Sequence, residues 1–476
     1  MQLLTNSDLE QGAGGVIDIS DETVKVRDEK KLKDELIDRL VETAVFGEPG
    51  AALKSKWIIR MAAEELGVVP CSIQGLYDAM GRGEAAGFTV PAINLRTLTY
   101  DMARAVYRAA MNIEAGAFIF EIARSEIGYS EQPPLEFANV VLAAGIKEGF
   151  KGPVFIQGDH FQVAVKKYEA DPEKELKTIE NLITEAVGAG FYNIDIDAST
   201  LVDLSKPDLS EQQRLNFELT ARFIRLIRKL EPGNITVSIG AEIGEVGGQN
   251  STPEEFKAFM DGLIDCLKKD GDVRNISKIS VQTGTSHGGV PLADGSVAEV
   301  KLDFEVLRRI GEVARSDYGL CGSVQHGAST LPEELFDKFP ASGAGEIHLA
   351  TGFQNIFYEH EAVPRSLKDE IFDYIKTHHV SEKKEGQTEA QFLYKLRKKG
   401  LGPFKRKIWE LPPDSREKIR ASLLGKFSLL MGKLNIAGTR EVVKKHVNVA
   451  PSAPSLAAFR KGTGMDMKEA TDVEGE

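Results

Sequence analysis

Three histidines of this chain stand in the same kind of position, at the end of a short apolar segment. His160 closes PVFIQGDH, His287 closes KISVQTGTSH and His326 closes LCGSVQH, although the chain has only eight histidines. A single histidine of this kind is more often a hydrogen-bonded core residue than a ligand. Three neutral imidazoles that leave a fourth position open form a common catalytic zinc arrangement. If the segments converge, the sequence predicts a zinc site that polarises a carbonyl or hydroxyl oxygen.

Acidic residues and glycines accompany these histidines. Asp159 precedes His160, and Glu242 ends the segment TVSIGAE before the glycine-rich stretch GEVGGQN. Such a stretch is typical of a mobile loop that closes over a substrate. The turns SHGGV and HGAST can bring backbone N–H groups close to a phosphate, or they can simply be tight turns after strands.

The surrounding elements indicate how these residues are brought together. Eight short apolar segments alternate with longer helical stretches, as in parallel βα units. Eight units predict an α/β fold, a closed (β/α)₈ TIM barrel, whose chemistry lies at the carboxyl ends of the strands. An open doubly wound sheet is the alternative, but it usually carries GxGxxG after its first strand, where this chain has NLRTLT. The predicted strands are 87–94, 117–123, 153–160, 192–199, 236–243, 278–287, 320–326 and 346–352.

The remaining chain flanks this barrel. We predict an N-terminal helical extension at 1–70, the barrel at 71–360, a long C-terminal helical extension at 361–445 and a flexible tail at 446–476. Apolar residues recur three and four apart in both extensions, which favours amphipathic helices. These helices must bury their apolar faces, so we expect a homo-oligomer.

Composition narrows the class of protein. The net charge of −13 argues against nucleic-acid or membrane partners. Three widely spaced cysteines without a CxxC pair indicate neither disulfides nor a cysteine zinc site, which fits a reduced cytoplasm. No targeting segment or apolar run of bilayer length is present. A lysine-dependent mechanism does not fit this pattern. A Schiff-base aldolase would need a lysine near a strand end, but Lys278 starts its strand, at the opposite face of the barrel.

Taken together, the motifs resemble those of the class II, metal-dependent ketose-bisphosphate aldolases, whose best-known member cleaves fructose 1,6-bisphosphate. The similarity runs in family order over about residues 71–356. Its motifs are FTVPAIN, GDH, IDAS, AEIGEVGG, TSHGG, VQHGAST and EIHLATGFQ.

The resemblance implies a role for each matching residue. Asp159 would be the acid/base at the hydroxyl of the bond that breaks, and Glu242 would orient the metal shell. The zinc ligands would be His160, His287 and His326. The residues that contact dihydroxyacetone phosphate and its phosphate would be Ser125, Gly288, Gly327, Ser329, His348 and Thr351.

Several positions depart from the family pattern. Asn250 stands where the family has a loop glutamate that removes the C–H proton, so Glu245, Glu254 or Glu255 must replace it or the chemistry is impaired. His348 stands where the family has a substrate-binding asparagine, and it can also act as a further metal-like ligand.

The expected function is zinc-dependent, reversible retro-aldol cleavage of a phosphorylated ketose, with fructose 1,6-bisphosphate first. Another divalent metal can replace zinc, and a monovalent cation is a further expected cofactor. The alternatives are a non-catalytic or regulatory aldolase-like barrel and a metal-dependent sugar-phosphate epimerase.

Overall fold

Eight parallel strands of the computed structural model close into a barrel. The structure describes residues 2–20, 23–244, 249–269, 271, 273–284, 302–452, 454–461 and 471. Neighbouring strands pair from β4 to β11 in chain order, and β11 pairs with β4 to complete the ring. All pairings within this sheet are parallel. The strands are β4 (Val90–Asn94), β5 (Ile119–Ala123), β6 (Gly152–Gln162), β7 (Asn193–Asp197), β8 (Ser238–Glu242), β9 (Lys278–Ser280), β10 (Ser323–Gln325) and β11 (Glu346–Leu349).

Each of the eight predicted segments overlaps one of these strands, so the prediction of a (β/α)₈ barrel is confirmed. Three further strands lie outside the ring. An N-terminal hairpin is formed by β1 (Ile17–Ile19) and β2 (Val24–Val26). The third, β3 (Val68–Cys71), pairs with the beginning of β6, where Val68 lies opposite Gly152.

Helices cover the outside of the barrel and build both ends of the chain. Those before and within the barrel are α1 (Asn6–Glu10), α2 (Gly12–Gly15), α3 (Glu29–Lys31), α4 (Ile37–Phe46), α5 (Pro49–Glu65), α6 (Gln74–Gly81), α7 (Thr99–Asn112), α8 (Arg124–Ser130), α9 (Pro134–Glu148), α10 (Val165–Ala170), α11 (Pro172–Ala189), α12 (Leu209–Leu230), α13 (Pro253–Lys268), α14 (Phe304–Tyr318), α15 (Lys338–Ser342) and α16 (Thr351–Glu359). Those that follow are α17 (Arg365–His378), α18 (Glu389–Leu396), α19 (Lys405–Trp409), α20 (Pro413–Lys433), α21 (Thr439–His446) and α22 (Leu456–Lys461).

The terminal segments pack on the barrel helices. Phe427 of α20 contacts Phe353 of α16 with ring centroids 4.6 Å apart. Trp57 of α5 donates its indole N–H to the backbone oxygen of Pro454 at 3.0 Å, and Leu456 of α22 is buried. Part of the predicted tail therefore lies against the N-terminal helices, while the four segment boundaries stay predictions. Among the described residues, no helix combines the length and apolarity needed to cross a bilayer.

Candidate active site

Strand β6 presents two consecutive residues, Asp159 and His160, to the same end of the barrel. Successive side chains of a regular strand point to opposite faces, so such a pair requires an interruption. The register between β6 and β7 shifts between Gly158 and Phe161, and His160 has a φ of 41°. A Cβ at position 158 would lie 2.4 Å from the buried Phe161 ring, so only glycine fits this bulge without rearrangement.

His160 and His326 meet at this end of the barrel. Nε2 of His160 lies 2.5 Å from Nδ1 of His326. A polar group holds the other nitrogen of each ring. Nδ1 of His160 is 3.2 Å from Asp197 Oδ2, and Nε2 of His326 is 3.0 Å from the Ser280 hydroxyl. These partners orient the rings, so that one nitrogen of each is directed toward a shared point.

Glu242 adds a carboxylate to this pair. It is the last residue of β8, and its Oε2 lies 3.2 Å from Nδ1 of His160. One ligand atom from each of His160, Glu242 and His326 lies within 4.8 Å of the other two. Imidazole nitrogens and carboxylate oxygens are ligands that zinc accepts, so this donor set fits a divalent metal. The predicted third imidazole, His287, lies outside the described residues, as does Gly288.

Two donors hold the carboxylate of Asp159. The Asn94 side-chain amide lies 2.9 Å from its Oδ2, and Nδ1 of His348 lies 3.1 Å from its Oδ1. Burial by itself raises the pKa of this carboxyl, but the neighbouring rings of His160 and His348 outweigh burial and lower the pKa. Asp159 is therefore held as a carboxylate, the form that can accept a proton.

A layer of ionisable side chains fills the barrel beneath this site. Glu121, Asp195, Lys278 and Glu346 are all buried and come from four different strands. Lys278 Nζ donates to Asp195 Oδ2 at 2.9 Å and also to Glu346. Barrels of this kind are usually filled by branched apolar residues, and buried charges are tolerated where they are paired. As expected from its position, Lys278 lies at the start of its strand, below the site, where carboxylates engage its ammonium group.

Residues predicted to bind phosphate lie at the beginning of α16. Thr351 is the first residue of this helix, and the next backbone N–H, from Gly352, donates to the Ser329 hydroxyl at 3.2 Å. Arg96 donates from Nη1 to the Thr351 hydroxyl at 3.0 Å. Gly327 has a φ of 67°, as a tight turn after β10 requires. A helix N-terminus with hydroxyl groups and an arginine favours an anion.

The other predicted substrate contacts lie in different surroundings. Ser125 is a half-buried residue in the first turn of α8. His348 is 5% exposed, and carboxylates lie close to both of its ring nitrogens.

Asn250 lies at the surface. Its amide nitrogen is 3.3 Å from Asp303 Oδ2, at the N-terminus of α14. Of the carboxylates considered as replacements for the loop base, Glu255 accepts hydrogen bonds from the backbone N–H and hydroxyl of Thr252. Glu254 lies in the first turn of α13, and Glu245 lies outside the described residues.

Sequence reasoning missed several polar residues of the site. Glu126 accepts hydrogen bonds from the amide of Asn94 at 2.9 Å and from Nε of Arg96 at 2.5 Å, so this group connects the phosphate end to Asp159. A signal was present for others, because Glu121 in AFIFEIA and Asp195 in YNIDIDAS are charged residues inside apolar strands.

Two solved structures are similar to this chain to different degrees. A fructuronate-tagaturonate epimerase from Cohnella laeviribosi superimposes with a TM-score of 0.56 at 11% identity, covering 80% of this chain and 86% of that chain. A fructose-bisphosphate aldolase from Campylobacter jejuni gives a TM-score of 0.47 at 17% identity, covering 78% of this chain and 98% of the other. At 11% identity the similarity to the epimerase concerns the fold alone. A comparison with curated proteins found no match.

The family comparison covers more than half of the chain. The model of the family described as fructose-bisphosphate aldolase class-II matches residues 76–399. The match begins in α6, includes the whole barrel and continues through α17 and α18. This range contains every predicted site residue. The chain therefore belongs to the class II fructose-bisphosphate aldolase family.

Proposed function

We propose that this protein catalyses the zinc-dependent, reversible retro-aldol cleavage of a phosphorylated ketose. Fructose 1,6-bisphosphate is the first candidate substrate, with dihydroxyacetone phosphate and glyceraldehyde 3-phosphate as products. Family membership supports an aldolase-type reaction on a sugar phosphate. The single observation that carries the proposal is the convergence of His160 and His326 beside the carboxylates of Asp159 and Glu242.

In this proposal His160 and His326 would hold the metal, with His287 as the predicted third imidazole. When bound, a divalent metal supplies Lewis acidity that stabilises negative charge developing on the ketose oxygens. Glu242 and Asp197 each lie 3.2 Å from Nδ1 of His160, the nitrogen that faces away from His326, so in this proposal Glu242 orients the ring and does not serve as a ligand. Their role is to keep Nε2 directed at the metal position.

Asp159 serves the hydroxyl group at the carbon–carbon bond that breaks. As a carboxylate it accepts the hydroxyl proton in cleavage and returns it in condensation. Its 4% exposure limits competition from water. The amide of Asn94 fixes one carboxylate oxygen, so that a single orientation faces the substrate.

The phosphate of the dihydroxyacetone phosphate half binds at the beginning of α16. Ser329 and Thr351 supply hydroxyl groups there, and the positive end of the helix dipole favours an anion. The turn at Gly327 brings its backbone close to the same place, and Ser125 is a further predicted contact. Homo-oligomerisation, a monovalent cation and a cytoplasmic location stay predictions.

The direct test compares cleavage by wild type, His326→Ala and wild type treated with EDTA. We expect the variant and the chelated protein to lose at least about 100-fold in kcat/KM, because the metal stabilises charge that arises in the transition state. Zinc should restore the chelated wild type but not the variant. The control is His378→Ala, an exposed position of α17.

Unchanged cleavage after both treatments would rule out the proposal. Zinc binding without cleavage or proton exchange of dihydroxyacetone phosphate would favour the non-catalytic alternative. An isomerised sugar without triose would favour the epimerase.

A further inference from the structure

His348 lies between the proposed catalytic carboxylate and the ionisable layer of the barrel interior. Nδ1 lies 3.1 Å from Asp159 Oδ1 and 3.1 Å from Glu121 Oε2. Nε2 lies 2.7 Å from Glu346 Oε1 and 3.5 Å from Asp195 Oδ2. Four carboxylates from four strands thus surround one imidazole.

The carboxylates beneath His348 are themselves fixed. Lys278 pairs with Asp195 and Glu346, and the amide of Gln157 donates to Glu121 at 2.9 Å and to Glu346 at 3.0 Å. The Tyr77 hydroxyl also donates to Glu346. With its surroundings held in this way, the ring of His348 has little freedom to turn toward a substrate in the mouth of the barrel.

We propose that His348 is a positioning residue that acts through Asp159, rather than a substrate contact. Its Nδ1–H fixes one carboxylate oxygen while the Asn94 amide fixes the other, so Asp159 has a single orientation. A displacement of about 1 Å at a reacting group can cost about 100-fold in rate. This inference rests on the proposed function, because it assumes that Asp159 serves the hydroxyl at the bond that breaks.

Two partial reactions separate these roles. Cleavage of the ketose bisphosphate needs Asp159, whereas exchange of the C–H proton of dihydroxyacetone phosphate with solvent needs the metal and a separate base. A residue that acts through Asp159 should therefore change cleavage and leave exchange intact. A residue that contacts dihydroxyacetone phosphate should change both reactions and raise the KM for that substrate.

The variants are His348→Asn and His348→Gln, with His378→Gln as the exposed control. An asparagine amide can place its N–H near the former Nδ1, whereas a glutamine amide reaches toward the former Nε2. We expect His348→Gln to lower kcat for cleavage by about 30- to 100-fold, with KM and exchange within about 3-fold of wild type. For His348→Asn, kcat for cleavage should stay within about 5-fold of wild type, because the asparagine amide preserves an N–H donor near the former Nδ1.

Epistasis provides a second test. In an Asp159→Asn background, His348→Gln should cause no further loss of cleavage, because the group that it positions is already inactive. Additive losses in the double variant would overturn the inference. For His348→Gln alone, so would parallel losses of cleavage and exchange, or cleavage as fast as that of wild type.

The inference remains testable if His348→Gln does not fold, which circular dichroism would reveal. Folded His348→Asn that has lost both reactions, or that shows a raised KM for dihydroxyacetone phosphate, would then contradict it. Failure of the proposed function can be distinguished from failure of this inference. If the proposed function is wrong, wild type itself would neither cleave the ketose bisphosphate nor exchange the proton of dihydroxyacetone phosphate.

Discussion

At the scale of single residues, the site depends on how side chains outside the metal position orient those that face it. The carboxylate of Asp197 lies behind His160 and also accepts hydrogen bonds from Gln162 at 2.7 Å and from the Ser199 hydroxyl at 2.7 Å. It is buried and fixed on three sides. A carboxylate in this position sets the tautomer of the imidazole and increases its basicity.

Replacing that carboxylate should weaken metal binding while leaving the fold intact. We expect Asp197→Asn to lower zinc affinity by about 10- to 100-fold, the usual effect of losing a hydrogen-bond partner behind a histidine ligand. Competition titration with a zinc chelator measures this change. Asp203→Asn, at an exposed position of the following loop, is the control. Equal zinc affinities for Asp197→Asn and Asp203→Asn would show that Asp197 does not orient His160 as a metal ligand.

Residue types at strand ends were enough to predict Asp159, His160, Glu242 and His326. They did not predict the interior partners, because these residues lie within the strands and not at the ends where the loops begin. The informative pattern was the period of two, which places Glu121 inward from β5 and both Glu346 and His348 inward from β11. The pairing of Glu346 with Lys278 depends on barrel closure, which joins positions far apart in the chain.

At the scale of elements, the bulge in β6 is the feature that makes the site. The sequence predicted a strand ending at Asp159-His160 but not the irregularity that turns both side chains to one end. A left-handed φ at a histidine costs free energy, and such strain is typical of functional sites. The surrounding strands β5 and β7 hold the conformation from both sides.

A change at Gly158 should disturb this bulge. In Gly158→Ala the new methyl group would meet the buried ring of Phe161. We expect a loss of about 1 to 3 kcal/mol in the free energy of unfolding, together with weaker zinc binding as His160 is redirected. Denaturant titration and a chelator competition measure the two effects.

The control for Gly158→Ala is Gly188→Ala in α11. No heavy atom lies within 4 Å of the Cβ that this exchange would add. The exchange should stabilise the helix by about 0.5 to 1 kcal/mol. If Gly158→Ala also increased the free energy of unfolding, close packing of the Phe161 ring on residue 158 would not be what fixes the conformation of the bulge.

At the scale of the whole molecule, helices from the terminal extensions pack against the outer helices of the barrel. Asp101 of α7 is buried and accepts hydrogen bonds from Arg416 at 2.8 Å and Arg420 at 2.6 Å, both of α20. The periodicity of the sequence predicted these helices, but it could not indicate where they pack, because an amphipathic face does not identify its partner. The family match extends to residue 399, so it includes the sequence of α17 and α18.

Global stability should also depend on pH through Glu185 of α11. Burial, partly offset by Lys56, raises the pKa of its carboxyl to about 7. The unfolded chain ionises near pH 4.5, so between about pH 4.5 and 7 the folded state retains a proton that the unfolded state has lost. The contribution of Glu185 to stability is therefore full below this window and falls as pH rises through it.

Glu185→Gln removes this dependence. Relative to wild type, its free energy of unfolding should increase by up to about 3 kcal/mol between pH 4.5 and pH 8. Urea titrations at both pH values measure the change, with Glu361→Gln at an exposed position as the control. A difference from wild type that is constant with pH would contradict the assignment.

The most direct test of the account is to locate the metal. Diffraction data collected on both sides of the zinc absorption edge, from crystals of the zinc-loaded protein, would show each zinc ion as an anomalous peak. We expect one strong peak at the mouth of the barrel, about 2.0 to 2.1 Å from both His160 Nε2 and His326 Nδ1. A zinc ion bound elsewhere, or imidazoles that remain in contact with no metal between them, would contradict it.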